Sequence, residues 1–223
     1  MGQKVHPTAF RIGQTTNWIS RWFTSRMYRK FLAQDVALRR FLAAKTDKAG
    51  IAKVEIERSG ATTTVIISTS RPGVLVGRGG GGIEALKKDF VRLLGAQDRE
   101  VRVEVREVRR PDSEAPLIAQ LVAQELLKRL PFRRVMRQTI TKVMQSRDVR
   151  GAKIMLSGRL GGSEMSRSEM LQQGQLPLQS LRANIDYAQK HTFTPYGVIG
   201  VKVWIYKGEV FDESAKLKGQ SSP

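Results

Sequence analysis

The 223 residues predict two small α+β domains in tandem. Three observations predict this. The first half alternates helical and strand patterns around a glycine-rich loop. A charged, proline-containing break follows at Arg109-Arg110-Pro111-Asp112. In the second half, two helical patterns precede four strand patterns. A chain of this length has room for two separate apolar cores.

In the first half, positions 28–44 predict a helix with Phe31, Leu32, Leu38, Phe41 and Leu42 on its apolar side and Arg39 and Arg40 outside. Strands are expected near 52–58 and 63–70. Val54 and Ile56 alternate with Lys53, Glu55 and Glu57, so one face is buried and the other wet. Ser59-Gly60-Ala61 between the two strands marks a tight antiparallel hairpin. A helix at 83–94 carries Ile83, Leu86, Phe90, Leu93 and Leu94 at helical spacing, and a strand at 101–107 points Val101, Val103 and Val105 inward. The expected product is a three-stranded sheet with helices on one side.

The loop between strand and helix reads Arg71-Pro72-Gly73-Val74-Leu75-Val76-Gly77-Arg78-Gly79-Gly80-Gly81-Gly82-Ile83. Glycines lack a Cβ, so the amides of 77–80 can approach phosphate oxygens closely, and a following helix N-terminus favours an anion. Gly77, Gly79 and Gly82 also satisfy the dinucleotide fingerprint G-x-G-x-x-G. That motif calls for a parallel strand running directly into the glycines, whereas here Arg71-Pro72-Gly73 intervenes after a hairpin strand. A Walker loop needs Lys and Ser or Thr after its last glycine, and Ile83-Glu84 stand there instead. The remaining reading takes Val76 to Ile83 as the I-G-x-x-G-x-x-I element of a KH domain, whose G-x-x-G loop clamps a single-stranded nucleic-acid backbone. The element order α-β-β-α-α-β resembles the type II KH arrangement.

Charge points the same way. Lys and Arg number 39 against 20 Asp and Glu, a formal net charge of +19 with a pI near 10.8. Nucleic acid is the leading partner for such a chain and an anionic membrane surface the second. The chain has no cysteine, which excludes disulfides and thiolate metal sites and suits a reducing compartment. No apolar run approaches the length of a bilayer span, so the sequence reads as cytosolic. The two histidines, His6 and His191, sit in no ligand or triad pattern. We therefore expect no enzyme activity, no metal, no cofactor and no small-molecule substrate.

Met1 to Thr16 is basic and aperiodic, and reads either as an arm that orders on binding or as a frayed terminus. Trp18, Arg21, Trp22, Phe23, Arg26, Tyr28, Arg29 and Lys30 interleave aromatics with cations. Such a stretch stacks on bases or docks onto its own core. In the second half, Asp112 or Ser113 is placed to cap a helix bearing Ile118, Leu121, Val122 and Leu126. Pro131 interrupts it, and a second helix starts at Phe132 with Val135, Met136, Ile140, Val143 and Met144 as its core stripe. Arg133, Arg134 and Arg137 share the opposite side of that helix. With no carboxylate three or four positions away, they form an unpaired stripe that favours an external polyanion. Strands follow at Ile154 and Leu156, at 165–172, at 181–187 and at 201–206, with Gly158-Arg159-Leu160-Gly161-Gly162 and Gly174 as turns. The expected organisation is an arm at 1–17, a KH type II domain at 18–110, a C-terminal α+β domain of two helices and a four-stranded sheet at 111–208, and a disordered tail at 209–223.

Several segments together resemble one family. They are Met1-Gly2-Gln3-Lys4-Val5-His6-Pro7, Arg71 to Gly77, Phe132-Arg133-Arg134-Val135-Met136, Ser157 to Gly162, Leu181-Arg182-Ala183-Asn184-Ile185-Asp186-Tyr187, and Tyr196 to Ile205. The chain is similar along most of its length to the bacterial-type small-subunit ribosomal protein S three family. The resemblance implies a place in the head of the small subunit, bound to small-subunit ribosomal RNA beside the messenger RNA channel, with proteins S ten and S fourteen as neighbours. Phosphate contacts are expected from Lys4, His6, Arg11, Arg21, Arg26, Gly77, Arg78, Gly79, Gly80 and Arg159. The resemblance also implies that Arg133, Arg134 and Arg137 grip messenger RNA where it enters the subunit. The compartment would be the cytoplasm or an organelle with its own ribosomes. Family members usually carry two basic residues between the loop glycines. Here Arg78 stands with Gly79, one cation fewer, so a weaker phosphate grip is expected. The other reading is a free-standing KH regulator or assembly factor.

Overall fold

The computed structural model describes residues 3–45, 49–60, 62–95 and 100–211. The chain forms two compact units. One spans Trp18–Pro111, and the other joins the residues up to Asn17 with those from Asp112 onward.

The first unit contains β1 (Ser20–Arg21), α1 (Tyr28–Lys45), β2 (Ile51–Ser59), β3 (Thr62–Thr69), α2 (Pro72–Val76), α3 (Gly81–Leu94) and β4 (Glu100–Glu107). The helices and longer strands follow the α-β-β-α-α-β order. The sheet has four strands in the order β1-β2-β3-β4 instead of three, because the two-residue β1 pairs in parallel with β2. β2 and β3 form the expected antiparallel hairpin, and β3 then pairs in parallel with β4 through the α2–α3 crossover. Leu38 and Leu42 of α1, Ile56, Val65, Ile67 and Val101 of the sheet, and Leu86, Phe90 and Leu94 of α3 make the core. Leu32 and Leu93, expected on the apolar faces, are exposed.

Asp35 is fully buried. It receives hydrogen bonds from Ser20 Oγ at 2.7 Å, Trp22 Nε1 at 2.9 Å and Arg58 Nη2 at 2.8 Å. That network holds β1 and Trp22 in place. Of the two readings for the aromatic-basic stretch, docking therefore describes Trp22, while Phe23 is 97% exposed. Glu55, expected on the wet face, is buried and pairs with Lys53 and Arg21.

The second unit contains α4 (Ala115–Leu127), α5 (Phe132–Met144), β5 (Gly151–Gly158), β6 (Arg167–Gly174), β7 (Ala183–Thr194) and β8 (Gly197–Glu209). Its strands run antiparallel in the order β6-β5-β8-β7, and β7–β8 is a hairpin longer than the alternation suggested. α4 and α5 cover one sheet face, burying Ile118, Val122, Val135, Ile140 and Val143 against Ile154, Leu156, Val201, Val203 and Ile205.

The start of α4 is built differently from expectation. Neither Asp112 nor Ser113 caps it; Asp186 of β7 accepts the Ala115 amide at 2.7 Å. Pro111–Ser113 forms a 3-10 turn instead, which places both candidate caps before the helix. Residues 209–211, assigned to the tail, are ordered: Glu209 ends β8 and the Val210 amide donates to the Arg182 carbonyl. The rest of the expected tail, 212–223, lies outside the described residues.

Residues 3–17 are not a free arm. A 3-10 turn at Ala9–Arg11 turns Arg11 inward, where it is 1% exposed. Its Nε donates to Ala183 O at 2.8 Å, Nη1 to Pro7 O at 2.9 Å, and Nη2 to Leu178 O at 2.9 Å and Ser180 O at 2.8 Å. A buried guanidinium so bonded ties the arm to the loop before β7.

Burial and the adjacent Glu114 carboxylate push Asp186 up to about 6, against the opposing pull of Lys207. Between the ordinary carboxylate value and that value, the folded state binds a proton that the unfolded state lacks. The stability from this group is thus full below about pH 4 and lost as pH rises through about 6, by at most about 3 kcal/mol. Asp186→Asn should lack that loss. Urea midpoints taken from pH 4 to 7 should show the variant gaining on the parent as pH rises; a constant difference would contradict this.

Candidate nucleic-acid interface

In the first unit the glycine loop is placed by α2 and α3. Gly77, Gly79 and Gly80 take φ of 68°, 62° and 81°, the left-handed region in which glycine is at ease. Gly82 serves close approach: a Cβ there would stand 2.3 Å from the Leu75 carbonyl oxygen. The turn is therefore compact, and Arg78 at its tip is exposed. Gly80 precedes α3 without any side-chain cap, but the turn itself uses two of the nearby amides: Gly77 donates to the Gly73 carbonyl at 3.0 Å and Gly81 to the Arg78 carbonyl, so the predicted Gly77 amide contact is already taken. Among the described residues, Arg71, Arg78, Lys88 and Arg92 have no carboxylate within ion-pair distance. The short helix α2 separates β3 from the glycines, so the strand does not run directly into the loop as a dinucleotide site requires.

In the second unit, the buried side chains of α5 fix which face points out. Val135, Met136, Ile140 and Val143 face the sheet, leaving Arg133, Arg134 and Arg137 exposed. The stripe is not wholly unpaired. Arg133 Nη2 and Nε reach Glu169 of β6 at 3.2 and 3.3 Å. The hydrogen bond and the carboxylate's charge raise the Arg133 pKa, and the same bond with the charges of Arg133 and Arg167 lowers that of Glu169. A partner on another element escapes any count of helical spacings. Arg134 and Arg137 have no such partner among the described residues.

The other predicted contacts divide. Arg11 is sealed inside and cannot reach a phosphate. Arg159 is half-buried, donating to Ser163 O at 2.9 Å and Tyr196 O at 3.1 Å, and so joins two loops. Arg21 is engaged by Glu57 at 2.8 Å and Glu55 at 3.6 Å. Arg26 is exposed and lacks a carboxylate partner among the described residues. Lys4 and His6 are exposed on the sheet face away from the helices, where the His6 ring meets Tyr187 edge-on at 4.8 Å. That face also carries Lys153 and Lys202, which a reading limited to loops and helices passes over. Their signal is the strand alternation itself, which sends both away from the apolar core.

The KH domain family matches residues 37–113 and the ribosomal protein S3 C-terminal domain family matches residues 122–205. Small ribosomal subunit protein uS3 of Maridesulfovibrio salexigens is 45% identical over 97% of this chain and all of its own length. The chain belongs to the uS3 family. Protein uS3 of Syntrophomonas wolfei is 46% identical over 96% of the chain and 92% of its own length, and uS3c of Guillardia theta 48% over 94% and 96%. The family is one of ribosomal proteins with KH and S3 C-terminal domains, and not one of enzymes.

A phosphate reaching Arg133 would have to displace Glu169. Glu169→Gln should raise affinity for a short RNA by up to about 5-fold, the small gain expected from freeing one exposed cation. Fluorescence anisotropy titration would read it, and an unchanged or weaker affinity would contradict the competition.

Proposed function

We propose that this uS3 chain is a structural constituent of the small ribosomal subunit. In this reading it holds small-subunit ribosomal RNA in the head, beside proteins S ten and S fourteen, and grips messenger RNA where it enters. Arg134 and Arg137 carry the messenger role: two exposed guanidinium groups without a carboxylate partner among the described residues, on a helix whose other face is locked into the core. The glycine loop offers the exposed Arg78 to a ribosomal RNA backbone, which the glycines let approach closely. Gripping is passive, because cations hold successive phosphates while translocation supplies the force. Lys4, His6 and Arg26 supply further phosphate contacts in this reading; Arg11, Arg21 and Arg159 serve the fold, and Arg133 shares its charge with Glu169.

The protein should co-sediment with small subunits through moderate salt and leave only on stringent washing. In subunits carrying Arg134→Ala with Arg137→Ala, translation through a structured message should slow more than through an unstructured one. Recovery only in the free pool at every salt concentration would sink the ribosomal role and favour a free-standing regulator. Equal slowing on both templates would sink the messenger role alone.

A further inference from the structure

The sheet of the second unit has one face that α4 and α5 leave uncovered; residues 4–11 lie along part of it, and Lys153, Tyr187, Lys202 and Trp204 remain half-buried there. Register and burial send Ile154, Leu156, Val201, Val203 and Ile205 toward α4 and α5, and so turn Lys153, Lys202 and Trp204 the other way. The four strands hold three carboxylates, and none serves the open face. Glu169 reaches Arg133 of α5, Asp186 holds the start of α4, and Glu209 pairs with Arg182 at 3.0 Å. The face is thus cationic without internal compensation. Lys4 joins Lys153 and Lys202 around a hollow of about 730 Å³. No carboxylate lies within ion-pair distance of these three lysines among the described residues.

The same hollow is lined with rings. Tyr187 and Trp204 lie 5.2 Å apart at 44°, Lys153 Nζ stands 5.6 Å from the Trp204 centroid, and Phe10 is 43% exposed at the rim. Burial, with the Lys4 charge nearby, lowers the Lys153 pKa, a cost that a bound anion would offset.

We propose that this open sheet face is a third RNA surface of the protein, one that takes single-stranded RNA with phosphates on Lys4, Lys153 and Lys202 and unpaired bases against Phe10, Tyr187 and Trp204. A protein partner would bring its own carboxylates only at chosen points, whereas ribose-phosphate supplies a negative charge at every step, matching three cations around one hollow. Rings on an exposed sheet suit unpaired bases, because a duplex keeps its bases stacked on one another. The proposal rests on the RNA-binding reading above but concerns residues outside the loop and α5.

The test is photocrosslinking of the full chain to a 12-nucleotide oligouridylate containing 4-thiouridine, with adducts mapped by mass spectrometry. Adducts are expected on peptides carrying Phe10, Tyr187 or Trp204, and a duplex RNA of equal length should compete poorly for them. In Lys153→Gln with Lys202→Gln these adducts should fall about tenfold at physiological salt, from two lost phosphate contacts at a slope of about 0.7 each, while adducts on α5 persist. An unchanged melting temperature would show that the variant folds.

Adducts confined to the glycine loop and α5 in the parent would overturn the proposal and leave the RNA-binding reading standing. No adduct anywhere would overturn both. A double variant that crosslinks like the parent but no longer enters small subunits would also overturn it, pointing to a protein on this face.

Discussion

The allocation of a scarce supply of carboxylates constrains everything else in this structure. There are 20 acidic side chains for 39 basic ones, and the fold places many of the acids where internal geometry needs them. Asp35 satisfies Arg58, Ser20 and Trp22 inside the first unit. Asp186 and Glu114 hold the start of α4 and Lys207. Glu169 reaches across to α5. Breaking a buried pair such as Asp35–Arg58 costs about 3–5 kcal/mol, so these acids are not available elsewhere. Cations without such partners lie at the glycine turn, on the outer face of α5 and on the open sheet.

Each of these cationic surfaces is fixed by apolar packing behind it. Leu86, Phe90 and Leu94 seat α3 and thereby present the glycine turn at its beginning. Val135, Ile140 and Val143 seat α5, so Arg134 and Arg137 have one orientation. Strand alternation does the same for Lys153 and Lys202. The chain spends its apolar residues on two cores and its excess charge on what faces outward. A polyanion that binds only the folded state then stabilises it by linkage.

Much of this was legible locally. The 28–44 helix, the hairpin at Gly60, the valine alternation of β4 and the helix break at Pro131 all follow from spacing within a few residues. What could not be read is long-range. β1 is two residues long and exists only because β2 offers an edge and Asp35 anchors its neighbours. Arg11 reads as one more cation of a basic arm until the carbonyls of 178, 180 and 183 surround it. The partner of Arg133 lies 36 positions away, and the carboxylate holding α4 lies 71 positions from the amide it accepts. In each case the competing interaction was a buried or cross-element hydrogen bond, which leaves no period in the sequence.

The central claim is that positive charge is displayed in excess of what the fold compensates, so the free protein carries unrelieved repulsion. The most direct measurement is thermal unfolding of the purified chain as ionic strength rises from about 0.01 to about 0.1 M, over which the screening length falls from about 30 to about 10 Å. The account predicts a melting temperature that climbs with salt and climbs again, at fixed salt, when a small-subunit ribosomal RNA fragment is added. A melting temperature that stays level or drops with salt, as for a protein held together by its surface ion pairs, would contradict it.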